Sequence, residues 1–152
     1  SIRTGETRNR TMNPTRDVPV FTSILAKLGR PIEKTPVSCW IAMYSGGNPT
    51  GWGGAMGPSQ FIPSTWKIFE TRIERITGAG TADPWNPRDA ITATALYLSD
   101  LGAVTGNESS ERNAACRYYS GRSCATGPGA PYGNSVMRKI VAVQADIDKL
   151  QR

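Results

Sequence analysis

The 152-residue sequence contains no histidine. That excludes Ser-His-Asp and Cys-His catalysis, histidine-ligated zinc and a histidine proton shuttle. Cysteine is scarce. Cys39, Cys116 and Cys124 are too few and too scattered for a four-cysteine metal site. In a disulfide-forming protein their odd number leaves one thiol without a partner. No metal and no other cofactor is expected. Long apolar runs are missing as well: nothing approaches the roughly 18 residues that span a bilayer, and no targeting segment is visible. The chain opens on Ser1 without a methionine, as expected of a processed product, a trimmed chain or a fragment.

Hydrophobic residues make up 38% and charged residues 20%, a globular composition of one-domain length. Lys+Arg is 18 against 12 Asp+Glu, a formal net charge of +6. Thirteen arginines could in principle meet nucleic-acid phosphates. They are dispersed, and no nucleic-acid module is recognisable, so nucleic acid is not the expected partner.

Residues 1–17 are polar and basic and read as an arm, leaving 18–152 as the folded domain. Asp17 is placed to cap a helix over Val18–Leu28, with Pro19 in its first turn and Gly29 as its stop. Residues 30–59 are rich in proline and glycine, and a loop of that length usually serves function. A second helix opens at Pro63 or Ser64, carries Trp66, Phe69 and Ile73 inward and stops at Gly78. Asn86 caps a third, with Pro87 first and Gly102 last. Ser109 or Ser110 caps a fourth, ending at Gly121. The last spans about 132–150, with the stripe Val136, Ile140, Val143, Ile147 and Leu150 expected to pack on the core. No strand-like alternation of useful length is seen. The fold class is mainly α, with long irregular loops.

The most distinctive run is Gly53-Gly54-Ala55-Met56-Gly57-Pro58-Ser59-Gln60-Phe61-Ile62-Pro63-Ser64-Thr65-Trp66. It is a glycine turn that admits close backbone approach, then a polar amide, then a helix start. An amide flanked by small residues suits the hydroxyl and acetamido groups of a sugar. This run resembles the signature of the peptidoglycan lytic transglycosylases, in the lysozyme-like superfamily. Asp83-Pro84-Trp85-Asn86-Pro87-x-Asp89-Ala90-Ile91 is similar to the segment that follows it in the membrane-bound type B branch. Ala115-Cys116-Arg117-Tyr118-Tyr119-Ser120-Gly121 sits where relatives carry Tyr-Asn-x-Gly, and Tyr132 to Val136 resembles their Tyr-Gly-Asn-x-Val.

The resemblance implies a lysozyme-like fold, an extracytoplasmic location and glycan strands of peptidoglycan as partner. Anionic wall polymers also fit the net charge. The implied reaction cleaves the MurNAc-GlcNAc bond and leaves a 1,6-anhydro sugar. One glutamate protonates the leaving oxygen and then takes the proton of the C6 hydroxyl, which attacks C1 of its own sugar. In relatives that glutamate ends a helix before the glycine signature, as Glu-Ser-x-x-Gly. Here only Glu6 and Glu33 precede Gly54, and neither has the motif. Glu108-Ser109 follows the signature and lacks the glycine. Glu70 and Glu74, beside Arg72 and Arg75, read as a solvated face. The expectation is therefore that the catalytic glutamate lies upstream of Ser1.

Gln60, Met56, Gly57, Tyr118, Tyr119 and Trp52 are the expected substrate-binding residues, with Tyr118 oriented toward the acid. Tyr44 joins Trp52 as a loop aromatic able to stack on sugar, whereas Trp66 and Trp85 are assigned to the core. Cys116 and Cys124, eight apart, can close a small loop. Cys39 is then expected to pair with a cysteine on the missing N-terminal segment, which would itself be a partner. The rival reading is a non-catalytic wall-binding or structural subunit that kept the cleft without the acid.

Overall fold

The computed structural model describes residues 12–39, 43–45, 48–50 and 52–151. These residues are mainly helical. Helix α1 is Val18–Leu28, followed by a 3-10 turn at Ile32–Lys34; strands β1 and β2 are Met43–Ser45 and Asn48–Thr50. Helices α2 (Pro63–Thr77), α3 (Pro87–Asp100), α4 (Glu108–Ser120) and α5 (Ala130–Leu150) complete the order. β1 and β2 pair antiparallel, with Met43 opposite Thr50 and Ser45 opposite Asn48. Strands of three residues are too short to show an alternation, so this hairpin was not foreseen. Among the described residues no helix is long and apolar enough to cross a membrane.

The chain divides into two compact units, Ser1–Thr94 and Ala95–Arg152. In the first, α1 packs on α2. Phe21, Ile24 and Leu25 of α1 fall at the i, i+3, i+4 spacing of one helical face, and all three are buried. They belong to the same core as Trp66, Phe69 and Ile73 of α2. Phe61 meets the Trp66 and Phe69 rings edge-on at 5.8 and 6.1 Å between centroids.

Asp17 occupies the N-cap position of α1, but its side chain makes no capping bond there. It is fully buried and turned away. Oδ1 accepts the Ser64 backbone N–H at 3.1 Å, at the start of α2. Oδ2 accepts Arg16 Nε and Nη2 at 3.0 and 2.7 Å. The turn before α1 is closed by Asn13 instead, whose Oδ1 accepts the N–H groups of Thr15 and Arg16 at 3.1 and 2.8 Å. Met12, in the stretch read as an arm, is buried beside Gly54.

The solvated-face reading of Glu70 is overturned. Glu70 is 4% exposed, and its Oε2 accepts Lys27 Nζ of α1 at 2.9 Å and Lys67 Nζ one turn back on α2. Helix periodicity placed Glu70 beside Phe69, but only the crossing of α1 shows that two lysines cover it. Its Oε1 is buried with no hydrogen-bond partner.

In the second unit α4 packs against the beginning of α5, around Ala114, Ala115 and Cys116. Asn107, rather than Ser109 or Ser110, caps α4: its Oδ1 accepts the Ser110 N–H at 3.0 Å. Ser110 Oγ is engaged with Val104 instead. Cys116 and Cys124 are joined by a disulfide. A Cβ on Gly133 would lie 2.6 Å from Cys116 Sγ, so α5 reaches the bridge only with glycine there. Cys39 is an exposed free thiol. The α5 stripe does not pack on a core: Ile140, Val143, Ile147 and Leu150 are all exposed, Leu150 by 87%.

Candidate active-site groove

The glycine signature folds as a short turn held against the preceding loop. The Ser38 N–H donates to Ala55 O at 2.8 Å and the Gly54 N–H donates to Ser38 O at 3.0 Å, while Ser38 Oγ accepts the Ala55 N–H. The Met56 N–H donates to Phe61 O at 2.8 Å, which closes the turn over residues 57–60. Gly57 enters that turn at φ +61°, and a Cβ there would stand 1.8 Å from Pro84 O. Only glycine lets the turn touch the 83–87 segment. Gln60 leaves it at φ +56°, a left-handed conformation unusual for a residue with a long side chain. The exposed Gln60 side chain folds back, with Nε2 donating to Gly57 O at 2.7 Å. Its Oε1 accepts nothing from the described residues.

The other wall comes from Asp83-Pro84-Trp85. Asp83 Oδ1 accepts the Trp85 N–H at 2.8 Å, and Asp83 Oδ2 accepts Arg30 Nη2 at 2.6 Å. Buried Asp89 accepts the Asp83 N–H at 2.9 Å. The Arg30 guanidinium lies 5.1 Å from the Trp85 ring centroid, and Trp85 Nε1 donates to Pro36 O at 3.1 Å. Arg30, Asp83 and Trp85 thus clasp the long loop to the start of α3. Asn86 caps α3 as expected, accepting the Arg88 N–H at 2.9 Å.

Between these walls runs an open groove of about 330 Å³. Three segments line it: Pro36, Val37 and Ser38; Ala55, Gly57, Pro58 and Gln60; and Trp85. None of these side chains ionises. The groove offers an amide, a hydroxyl, backbone groups and an indole, which suits a neutral ligand rich in hydroxyls and amides. Among the described residues the lining supplies no acid or base.

The carboxylates with shifted titration lie elsewhere, where the helices meet. Burial pushes the Glu70 carboxyl up, but the hydrogen bonds and charges of Lys67 and Lys27 outweigh it and hold it below the ordinary value. Burial likewise raises Asp17, and the hydrogen bonds from Arg16 and Ser64 outweigh it. The Lys27 ammonium is raised by its bond to Glu70. Both carboxylates stay ionised, which suits joints between helices and not a general acid.

Of the expected site residues, Gly57 and Gln60 line the groove. Met56 is 1% exposed and lies in the core beneath it. Trp52 is 47% exposed but is not part of the lining. The Tyr44 side chain and Glu6 lie outside the described residues. Glu33 is exposed on the 3-10 turn and is not among the lining residues. Tyr118 and Tyr119 belong to the second unit. Tyr118 is half-buried with its ring 5.2 Å from that of Tyr97, and the exposed Tyr119 stacks on Tyr132 at 4.9 Å. Trp85, assigned to the core, is half-buried and lines the groove. The prolines on both sides of it were the signal: they hold it on a turn, where a core side chain is unusual. The second unit has its own open groove of about 550 Å³, lined by Asn107, Ser109, Ser110, Arg112, Asn113, Cys124 and Ala125.

No curated protein and no solved structure matches the chain. One family model does, that of the transglycosylase SLT domain, over residues 46–119. The match takes in Gln60, Trp85 and Tyr118, and a transglycosylase SLT domain of the lysozyme-like superfamily is therefore present over those residues.

Proposed function

We propose that the chain is the glycan-binding part of a peptidoglycan lytic transglycosylase and that the groove of the first unit holds a saccharide of the glycan strand. The observation that carries this reading is the groove itself. Two separate motifs that resemble the family, the glycine turn with Gln60 and the Asp83-Pro84-Trp85 turn, meet to form one uncharged, amide-bearing cleft. An N-acetylated sugar offers hydroxyls and an acetamide to Gln60 and Ser38, and an apolar ring face to Trp85.

The reaction proposed is non-hydrolytic cleavage of the MurNAc-GlcNAc bond, giving 1,6-anhydro-MurNAc ends. One carboxyl group protonates the leaving oxygen and then accepts the C6 hydroxyl proton as O6 attacks C1. The two-carboxylate separation rule of ordinary glycosidases does not govern such a step. The acid is proposed to be a glutamate on sequence preceding Ser1, and Tyr118 and Tyr119 remain site candidates on the resemblance alone. A disulfide in the chain suits an oxidising, extracytoplasmic setting.

The test is incubation of purified sacculi with the chain joined to its natural upstream sequence, followed by mass spectrometry of the released muropeptides. Anhydro ends are expected, and intact sacculi would sink the enzymatic reading. The second reading, a wall-binding subunit, draws on a lining that holds no carboxylate among the described residues. It predicts that the chain binds sacculi while the joined protein leaves them uncut.

A further inference from the structure

We propose that the groove of the second unit binds a short peptide by its free carboxylate end, and that the peptide is the stem carried by the wall glycan. The second half of that statement rests on the glycan reading above; the chemistry of the site does not. The hydrogen bonds inside the groove carry the inference. Asn107 Oδ1 is spent on the Ser110 N–H at 3.0 Å, and Asn113 Oδ1 on the Cys124 N–H at 3.1 Å. Each amide keeps its NH2 group, which has no partner among the described residues. The Ser109 hydroxyl has none there either. Arg112 donates through Nε to Asn134 Oδ1 of α5 at 2.6 Å, which leaves Nη1 and Nη2 without partners among the described residues. These four residues line the groove, and among the described residues no carboxylate does. The neighbouring acids are placed otherwise. Glu111 Oε1 accepts the Gly106 N–H at 2.9 Å, and the exposed Glu108 is not part of the lining.

A lining whose amide oxygens are used and whose remaining groups donate calls for a ligand that accepts. One guanidinium selects a single negative charge, and its paired Nη edge matches the two oxygens of a carboxylate. That fork is held in advance. Arg112 is half-buried, its Cγ lies 3.4 Å from where a Cβ on Gly133 would stand, and the bond to Asn134 fixes the guanidinium plane. Little side-chain freedom is then lost on binding. The groove, at about 550 Å³, is far larger than a lone carboxylate needs and falls in the range of sites that hold whole small molecules. The amides of Asn107 and Asn113 and the Ser109 hydroxyl suit the carbonyls of a peptide main chain. The groove of the first unit, in contrast, is uncharged and suits a neutral sugar. The wall polymer offers both chemistries, since its glycan bears short peptides that end in carboxylates.

The test is an NMR titration of the 152-residue chain with N-acetyl-D-alanyl-D-alanine, with its C-terminal amide and with dimethyl phosphate. Each is taken to about 10 mM, because one such ion pair with a few neutral bonds gives a dissociation constant of about 1 mM. The free acid should shift the Ser109 and Asn113 signals, and the amide should bind about tenfold more weakly. No binding of the acid, equal binding of acid and amide, or dimethyl phosphate bound as tightly as the acid overturns the proposal. Ser109→Asp sets a carboxylate in the lining at an exposed place in the first turn of α4, where an acid suits the helix. The fold should hold while binding of the acid falls at least about tenfold. Unchanged binding overturns the proposal. Intact sacculi and glycan strands stripped of their peptides identify the source. Ser109→Asp should weaken the hold on the first and leave the second unchanged, and any other pattern rules out the wall stem. A parent chain that binds the acid but no sacculi would sink the glycan reading and leave the carboxylate site standing.

Discussion

The buried carboxylate of Asp17 accepts the backbone N–H of Ser64 at 3.1 Å, although the two residues are 47 apart in sequence. The residue that stands before one helix thereby satisfies an orphan donor at the start of another. Local logic alone assigns Asp17 to its own helix. Its actual bond ties the approach to α1 to the first turn of α2, directly after the glycine signature.

Replacing Asp17 should loosen that joint. Asp17→Ala leaves the Ser64 N–H and the Arg16 guanidinium without their acceptor, at a cost of roughly 1–3 kcal/mol. Asp17→Asn keeps one acceptor and should lose about half as much. Urea unfolding at neutral pH measures both, and an unchanged midpoint for the alanine variant would contradict the role.

Acid should destabilise the first unit through Asp17 and Glu70 together. Both carboxylates titrate below their ordinary values of 3.8 and 4.5 in the folded chain. A depressed folded value means stability that is present above the unfolded value and lost as pH falls through the folded one. Glu70→Gln removes the charge that Lys27 and Lys67 share, costing about 1–2 kcal/mol at pH 7 after allowance for the exposed lysines. As pH falls through the folded value of Glu70 the variant and the parent should converge. Thermal melts across pH 2.5–7 test this, and a constant difference over that range would sink it.

Gly57→Ala should be severe. The added methyl would overlap Pro84 O, and the residue would keep a left-handed φ. A loss above about 2 kcal/mol is expected, with sacculus binding lost along with it because the 83–87 wall must move. Co-sedimentation with sacculi and a melting curve read the two effects separately.

Gln60 should show opposite signs for stability and binding. Gln60→Gly relieves a left-handed φ worth about 1 kcal/mol and removes the amide offered to ligand. The variant should be at least as stable as the parent, yet hold sacculi several-fold less tightly. A variant that binds as well as the parent would take Gln60 out of the site.

Removing the Cys116–Cys124 bridge by a double alanine substitution should cost about 2–3 kcal/mol, the range for a loop of this size. The loss should fall on the packing of α4 against α5, which hydrogen exchange of the Ala114 and Ala115 amides would report.

What could be read from residues alone was whatever local chemistry decides. Pro63, Pro87, Gly29, Gly78 and Gly121 punctuate the helices by fixed backbone preferences, and the helices begin and end at them. Gln60 and Gly57 were legible as groove residues because their turn is local. Glu70, Trp85 and the α5 stripe were misread for one shared reason. Burial is decided by what crosses an element, and a single helix or turn carries no record of its neighbour. Asn107 took the cap from Ser109 and Ser110 because a cap depends on where the first turn begins, which shifts by a residue or two without changing the apolar pattern.

The Cys116–Cys124 bridge also sets a chemical problem for the newborn chain. Within residues 1–152 three thiols allow three one-bridge species, and exposed Cys39 competes for either partner. Only one of these species joins the Cys116 sulfur, against which Gly133 seats, to Cys124. Sorting them requires thiol–disulfide exchange. Maturation of this domain is thus a redox selection as well as a folding reaction, and a Cys39→Ser chain should reach the native isomer with fewer errors.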